Sequence, residues 1–310
     1  MPMAKSMQKE LAGFAEGKVQ WDCPLAPYTS FGIGGPADAL VVVESVTDLG
    51  NLLKYFTDND LAWRFIGRGS NILVSDDGFA GVVLLFGKGL SEIEDLTESG
   101  AKTISIRVGA GFSLAKLLNW CADRGYSGLE FTTGIPGSIG GAVVMNAGAL
   151  GEEIADVISA IDVMSLATGV GTLNRDELDF SYRSWGNQGI DDKQHIVLSV
   201  DLQLLSGDRE SIKKRCSENL QKRKEKQPRV QKNAGSFFKN PPEDSAGRLI
   251  EASGLKGKCC GGAMVSPVHA NFIVNTGEAT AKDVRQLMNV VTEQVKLDSG
   301  VQLFPEVHFL

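Results

Sequence analysis

The residues best suited to chemistry in this 310-residue chain are scattered, and the densest cluster is built mostly from backbone. Between Gly134 and Gly148, in the stretch EFTTGIPGSIGGAVVMNAG, five of fifteen residues are glycine, roughly three times the chain's overall share of 36 in 310. Glycine lacks a Cβ, so such a run can approach another body closely and turn its N–H groups toward an anion such as a diphosphate. Pro136 stiffens the run, and Ser138 and Asn146 add polar points. The run reads as a loop laid along an extended ligand, or else as a tight connection in an α/β fold. A second cluster, Gly67-Arg68-Gly69-Ser70-Asn71, combines two glycines, a cation and two hydrogen-bonding side chains at a strand end. It reads equally as a compact anion site or a two-glycine turn.

Single side chains are less specific. Arg183 lies among aromatics and hydroxyls in DFSYRSW, which suits a positioned cation or a surface ion pair. Ser236 is a hydroxyl in apolar surroundings, between Gly235 and Phe237-Phe238, and most such serines only bond to backbone. Lys239 and Asn240 follow in the same short segment. Glu306 is a carboxylate near the end of a mostly apolar stretch. The five cysteines (Cys23, Cys121, Cys216, Cys259 and Cys260) have no metal-ligand spacing and an odd count. They read as reduced, small buried hydrophobes and not as a disulfide framework.

The elements that must hold these groups are legible as alternating strands and helices. Residues up to about Asp22 form a helical lead-in. Strands are expected at Leu40–Glu44, Trp63–Ile66, Gly81–Phe86, Thr103–Val108, Val157–Leu166, His195–Leu205 and His269–Asn275. Thr47 is placed to cap a helix carrying Leu49, Leu52, Leu53 and Phe56, and Ser113 to open one carrying Leu114, Leu117, Leu118 and Cys121. Gly109-Ala110-Gly111 resembles the start of a dinucleotide fingerprint, but Leu114 stands where the third glycine belongs, so no such site is expected. Arg209–Lys226 carries eight basic and three acidic residues, with Ile212, Cys216 and Leu220 one turn apart. It reads as an amphipathic helix whose basic face is solvated or walls an anionic substrate. Ser245 and Gly254 bound a short helix, and Thr280-Ala281-Lys282-Asp283 approaches a capping box before a stripe of Val284, Leu287, Met288, Val291 and Val295. Val301–Leu310 alternates, with Val301, Leu303, Val307 and Phe309 on one face and Glu306 on the other.

A net charge of −7 disfavours nucleic acid as a partner. No apolar run approaches a membrane span, and the N-terminus MPMAKSMQKELAGFAEG lacks a signal core, so a cytoplasmic location is expected.

Nine segments in order resemble the UDP-N-acetylenolpyruvoylglucosamine reductases (UDP-N-acetylmuramate dehydrogenases) of peptidoglycan precursor synthesis. They are YTSFGIGGPAD from Tyr28, GRGSNILVSDDGF from Gly67, GLEFTTGIPGSIGGAVVMNAG from Gly128, SYRS from Ser181, KQP from Lys226, NAGSFFKNP from Asn233, AGRLIEASGLKG from Ala246, GGAMVSPVHANFIVN from Gly261 and LFPEV from Leu303. The resemblance implies an α+β protein: a flavin-binding domain of the vanillyl-alcohol oxidase (PCMH) type made of two α/β subdomains, then a C-terminal α+β substrate domain. The implied bounds are a lead-in at 1–22, the flavin domain at 23–205 (subdomains about 23–90 and 91–205) and the substrate domain at 206–310. The resemblance further implies non-covalent FAD held by Gly67, Arg68, Gly69, Ser70 and Asn71 and by Gly134, Ile135, Pro136, Gly137, Ser138, Gly140 and Gly141. It implies NADPH as co-substrate, and hydride transfer from flavin N5 to C3 of the enolpyruvyl group of a sugar nucleotide. Arg183 and Glu306 match the pair that stabilises the developing charge, Ser236 the proton donor to C2, and Tyr182, Lys226 and Asn240 the substrate-contacting positions. No metal is implied.

The chain departs from the pattern at Arg68, in a loop many members write with three glycines. It departs also at Phe304, where an acidic residue is usual, and at Lys258-Cys259-Cys260. No insertion is visible for the extra tyrosine-bearing loop of one subclass, so the shorter type II subclass is expected. The competing readings are a flavin oxidase of the same superfamily and a catalytically silent flavin-binding protein.

Overall fold

The structure is a computed structural model that describes residues 3–186, 195–228 and 232–310. The chain divides into two units, the first made of residues 1–21, 39–67 and 81–221 and the second of 22–38, 68–80 and 222–310. The first two residues of the expected helical lead-in lie outside the described residues.

In the first unit, α1 (Lys5–Phe14) and α2 (Val46–Asp58) cover a four-stranded sheet in the order Val19–Pro24, Pro36–Val43, Phe79–Phe86, Trp63–Phe65. Leu11 of α1 and Leu49, Leu52 and Phe56 of α2 share one core with Val41, Val43, Val82 and Leu84. The cap of α2 is Ser45 and not Thr47: the Ser45 side chain accepts the Asp48 N–H at 3.0 Å. Thr47 lies inside the first turn, so the helix starts two residues earlier than the apolar spacing suggests.

The second sheet of this unit is antiparallel throughout. Its order is Gly169–Asn174, Ile158–Ser165, Ile196–Ser206, Thr103–Gly109, Ile93–Asp95, and Tyr126–Ser127 adds to the Ile196–Ser206 strand. Helix α3 (Leu114–Arg124) packs Leu114, Leu117, Leu118 and Cys121 onto it, together with the short helix α4 (Ile139–Val144). Helix α4 is a correction to the expectation of a continuous loop through the glycine run. Gly140 there serves a close helix–sheet approach, against Ala110, and not only backbone freedom.

Helix α5 (Arg209–Lys226) has the expected bounds but a narrower apolar side. Ile212 is buried, Cys216 half-buried, and Leu220 is 37% exposed. Its basic side chains reach the first unit's own carboxylates: Arg215 pairs with the buried Glu130 at 2.5 Å, and Lys213 with Asp123 at 2.9 Å.

The second unit is built on a four-stranded antiparallel sheet ordered Lys232–Asn233, Ile273–Asn275, Ala263–Val265, Cys259–Cys260. Helix α6 (Ala246–Ala252) and helix α7 (Ala281–Ser299) share its core through Leu249, Ile250, Val284, Leu287, Val291 and Val295. The capping box at Thr280 and Asp283 is formed on both sides. Two expectations shrink here. Only Ile273–Asn275 of the 269–275 run is strand, because His269 to Phe272 close a turn. Val301–Leu310 is extended but not a regular strand: it makes a bridge at Pro305 and a short parallel pair with Ile72–Leu73. Leu303 and Val307 are buried as the alternation implies, whereas Phe309 is 36% exposed. The cysteines are unpaired, but they are not uniformly buried. Cys23 and Cys121 are buried, Cys216 and Cys260 half-buried, and Cys259 is exposed. Burial pushes the Cys121 thiol up to about 12, which leaves it unreactive.

Candidate active site

In the first unit the glycine run is anchored by specific backbone bonds. The Ile135 N–H donates to Thr132 O at 2.8 Å, Ile139 N–H to Phe112 O at 2.9 Å and Gly140 N–H to Ala110 O at 2.9 Å. Ser138, which is buried, caps α4 by accepting the Gly141 N–H. The close packing needs glycine. A Cβ on Gly140 would lie 2.9 Å from the Ala110 Cβ, and one on Gly67 would lie 2.7 Å from the Ser138 Oγ. Gly134 and Gly137 adopt φ of 76° and 150°, which side chains rarely tolerate. Gly67 and the 134–141 loop are therefore in close contact, Gly67 against the Ser138 hydroxyl. Gly109 and Gly111, the look-alike fingerprint, are packed against Leu90 and Ser91, where Cβ atoms would clash; no anion cradle forms at those positions.

The far end of the glycine run is tied to Arg183. Phe180–Ser181 and Ser184–Trp185 pair as a hairpin whose two turn residues are Tyr182 and Arg183. Asn146, fully buried at φ 38°, donates from Nδ2 to Ser181 O at 3.1 Å and accepts the Ala155 N–H on Oδ1 at 3.3 Å. The Arg183 guanidinium donates to Gly148 O at 3.3 Å and lies 5.0 Å from the Tyr182 ring centroid. Arg183 itself sits at φ 58°, the left-handed region that costs a non-glycine residue about 1 kcal/mol or more. Tyr182 is exposed.

The second unit brings together three groups that are far apart in sequence. Gly69, at φ 61°, leaves no room for a Cβ, which would come within 1.9 Å of Tyr28 O. Ser30 hydroxyl donates to Asn233 O at 2.7 Å and to Gly69 O at 3.3 Å, so the 67–71 loop and the serine-bearing segment share a support. Asn71 donates from Nδ2 to Glu306 O at 3.1 Å and accepts the His308 N–H at 3.0 Å. Glu306 N–H donates to Phe237 O at 2.8 Å, and Lys239 N–H to Phe304 O at 2.9 Å, around the Phe238–Pro305 bridge. Ser236, Glu306 and Asn71 are thus held by one ladder, and the side chains of Ser236 and Glu306 are half-buried. Ser236 and Asn240 line a cleft of about 370 Å³ with Ser245, Arg248, Glu251 and His269. Asn240 also accepts the Ala246 N–H on Oδ1 at 3.0 Å. Arg248 pairs with Asp244, whose carboxyl is held down to about 2 by that guanidinium. Burial, with the charge of Lys256 beside it, holds the His269 imidazole below its usual range. Arg68 and Lys226 are both exposed.

Sequence reasoning passed over Asn271 and His269. Their only signal was that they, with Asn275, are polar in a largely apolar run, HANFIVN.

Residues 227–310 match the family described as UDP-N-acetylenolpyruvoylglucosamine reductase, C-terminal domain, and residues 37–173 match the FAD binding domain family. UDP-N-acetylenolpyruvoylglucosamine reductase of Syntrophus aciditrophicus is 42% identical over 304 residues, covering 98% of this chain and 96% of its own. The protein of that name from Bacillus pumilus is 39% identical over 306 residues, covering 99% and 98%. The crystal structure of UDP-N-acetylenolpyruvylglucosamine reductase (MurB) from Thermus caldophilus superposes with a TM-score of 0.78 at 37% identity, covering 95% of this chain and 98% of that one.

Proposed function

The chain belongs to the UDP-N-acetylenolpyruvoylglucosamine reductase family, and from that premise we propose how its residues divide the work. It is a FAD-dependent oxidoreductase of peptidoglycan precursor synthesis, a UDP-N-acetylmuramate dehydrogenase acting on a small sugar nucleotide. Residues 23–205, as subdomains of about 23–90 and 91–205, form the flavin domain, and 206–310 the substrate domain. NADPH is the reductant, and the acceptor is UDP-N-acetylglucosamine enolpyruvate.

The cofactor's holders are the Gly67–Asn71 loop and Gly134, Ile135, Pro136, Gly137, Ser138, Gly140 and Gly141. The close approach of Gly67 to Ser138 supports this assignment. When bound, FAD supplies the hydride that the enolpyruvyl double bond accepts. This chain's side chains then have two tasks. Positive or hydrogen-donating groups facing the negative charge that grows on the enolpyruvyl carboxylate lower the barrier most: Arg183 as a cation, and Glu306 in its protonated form or through a bridging cation. The strained turn that carries Arg183 supports a placed cation, since a purely solvated arginine needs no such conformation. Ser236 gives its proton to C2. A hydroxyl is a weak acid, and the transfer is driven by the basicity of the carbon centre. Tyr182, Lys226 and Asn240 contact the substrate.

The observation that supports this reading is the backbone bond from the Glu306 N–H to the carbonyl of Phe237, the residue after Ser236, within the part of the chain that matches the reductase C-terminal family. A flavin oxidase of another kind has no use for that pair. The test is Ser236→Ala. Reduction of the flavin by NADPH should stay near wild type, while reoxidation by the enolpyruvyl substrate should fall by about 10²- to 10⁴-fold. Equal slowing of both half-reactions would make Ser236 a structural residue.

A further inference from the structure

The segment after Ser236 is bonded along both edges. On one side lie Glu306 and Phe304, as described. On the other lies Asn271, which is 4% exposed. Its backbone carbonyl accepts the Phe237 N–H at 2.7 Å. Its Oδ1 accepts the Phe238 N–H at 2.9 Å, and its Nδ2 donates to Phe238 O at 2.8 Å. The carboxamide thus behaves as one more peptide group in the ladder. Aspartate has the acceptor but no donor, and alanine has neither.

Asn271 is itself oriented. Its N–H donates to the His269 Nδ1 at 3.2 Å, which requires a neutral ring carrying its proton on Nε2. The ring lies against Gly247, where a Cβ would approach Cε1 to 3.1 Å, and edge-on to Phe272 with centroids 5.0 Å apart. The turn is closed by Ser266 N–H to Phe272 O at 2.8 Å, and the Ser266 hydroxyl accepts the N–H groups of Val268 and His269. Gly247, His269 and Asn271 form a column that ends on the two residues following Ser236.

We propose that Asn271, oriented by His269, is a positioning residue for Ser236, setting where the serine hydroxyl meets the cleft that it lines with His269 and Asn240. The inference rests on the reading of Ser236 as proton donor. It assigns Asn271 no contact with the reacting atoms. A hydroxyl that must deliver a proton in one geometry loses rate steeply when its backbone drifts, and a displacement of about 1 Å can cost about 10²-fold.

The test compares Asn271→Ala, His269→Leu and His269→Asn with Ser236→Ala in the flavin-loaded protein. Two readouts are used: amide hydrogen exchange at Phe238 and the two half-reactions followed separately. Asn271→Ala should speed exchange at Phe238 and slow reoxidation by the enolpyruvyl substrate by about 10²-fold, with flavin reduction unchanged. His269→Leu should do the same to a lesser degree. His269→Asn should restore both readouts, because an asparagine side chain accepts the N–H two residues on, as the imidazole does. Faster exchange with normal reoxidation would overturn the proposal, and so would equal slowing of both half-reactions. Should Asn271→Ala fail to fold, the His269 pair decides alone: no difference between Leu and Asn overturns it. If Ser236→Ala leaves reoxidation intact, the donor assignment fails and this inference falls with it. That result is distinct from an active Asn271→Ala beside an inactive Ser236→Ala.

Discussion

Arg183 shows how a single residue can be under opposing demands. Its backbone sits at φ 58°, in a two-residue hairpin turn where glycine is the natural occupant. Its guanidinium holds the Gly148 carbonyl and lies near the Tyr182 ring. Replacing it with glycine relieves about 1 kcal/mol of backbone strain and removes, among its contacts, the hydrogen bond to Gly148, of about the same worth. Arg183→Gly should therefore unfold within a few degrees of wild type, yet reoxidise with the enolpyruvyl substrate about 10²- to 10³-fold more slowly. Thermal unfolding and the separated half-reactions check this; a large loss of stability with normal turnover would contradict it. Sequence exposed Arg183 only as a cation among aromatics, and spacing alone did not separate a placed cation from a surface ion pair. The turn that strains it depends on the pairing of Phe180–Ser181 with Ser184–Trp185, which two-residue strands do not announce. Asn271 was harder still, because its role is defined by Phe238, 33 residues away.

At the scale of elements, the glycine run is the most informative case. Its composition pointed correctly to close backbone approach, but the helix inside it was not legible. Ile139–Val144 is short, rich in glycine and poor in helix formers, so intrinsic propensity argues against it. Packing decides the matter: Gly140 lets α4 settle on Ala110, and Ser138 caps its first turn. Gly140→Ala raises helix propensity locally yet places a methyl 2.9 Å from the Ala110 Cβ and 3.1 Å from its carbonyl oxygen. The overpacking should cost about 1–3 kcal/mol and outweigh the gain of less than about 1 kcal/mol from propensity. The expected result is a lower melting temperature together with a reduced flavin-to-protein ratio after purification. A variant as stable as wild type with full flavin content would show that the close approach is not needed. Longer elements with strong periodicity were read well: α5 and the 103–109 strand fall within a residue of their expected bounds, and α7 starts at its expected cap, Thr280, and carries its expected stripe. The C-terminal stretch was overread, since alternation at Leu303 and Val307 reports burial, not a continuous regular strand.

For the whole molecule, the sequence-level exclusions rest on bulk properties. Among the described residues, no helix is long and apolar enough to cross a membrane. The basic residues of α5 that looked like an anion wall include Arg215 and Lys213, which are engaged with Glu130 and Asp123 of the same unit. A net charge of −7 leaves that helix as a local feature against an acidic background. What no bulk property could supply is the reaction. It comes from nine motifs in register, a reductase C-terminal domain over residues 227–310 and a flavin domain over 37–173. The measurement that tests it most directly uses the purified protein under anaerobic conditions. The flavin absorbance is bleached with NADPH, UDP-N-acetylglucosamine enolpyruvate is added, and the oxidised flavin band is followed. The account predicts prompt return of that band with the substrate alone. A reduced flavin that stays bleached until air is admitted would contradict it and favour an oxidase, and a protein without flavin would contradict it outright.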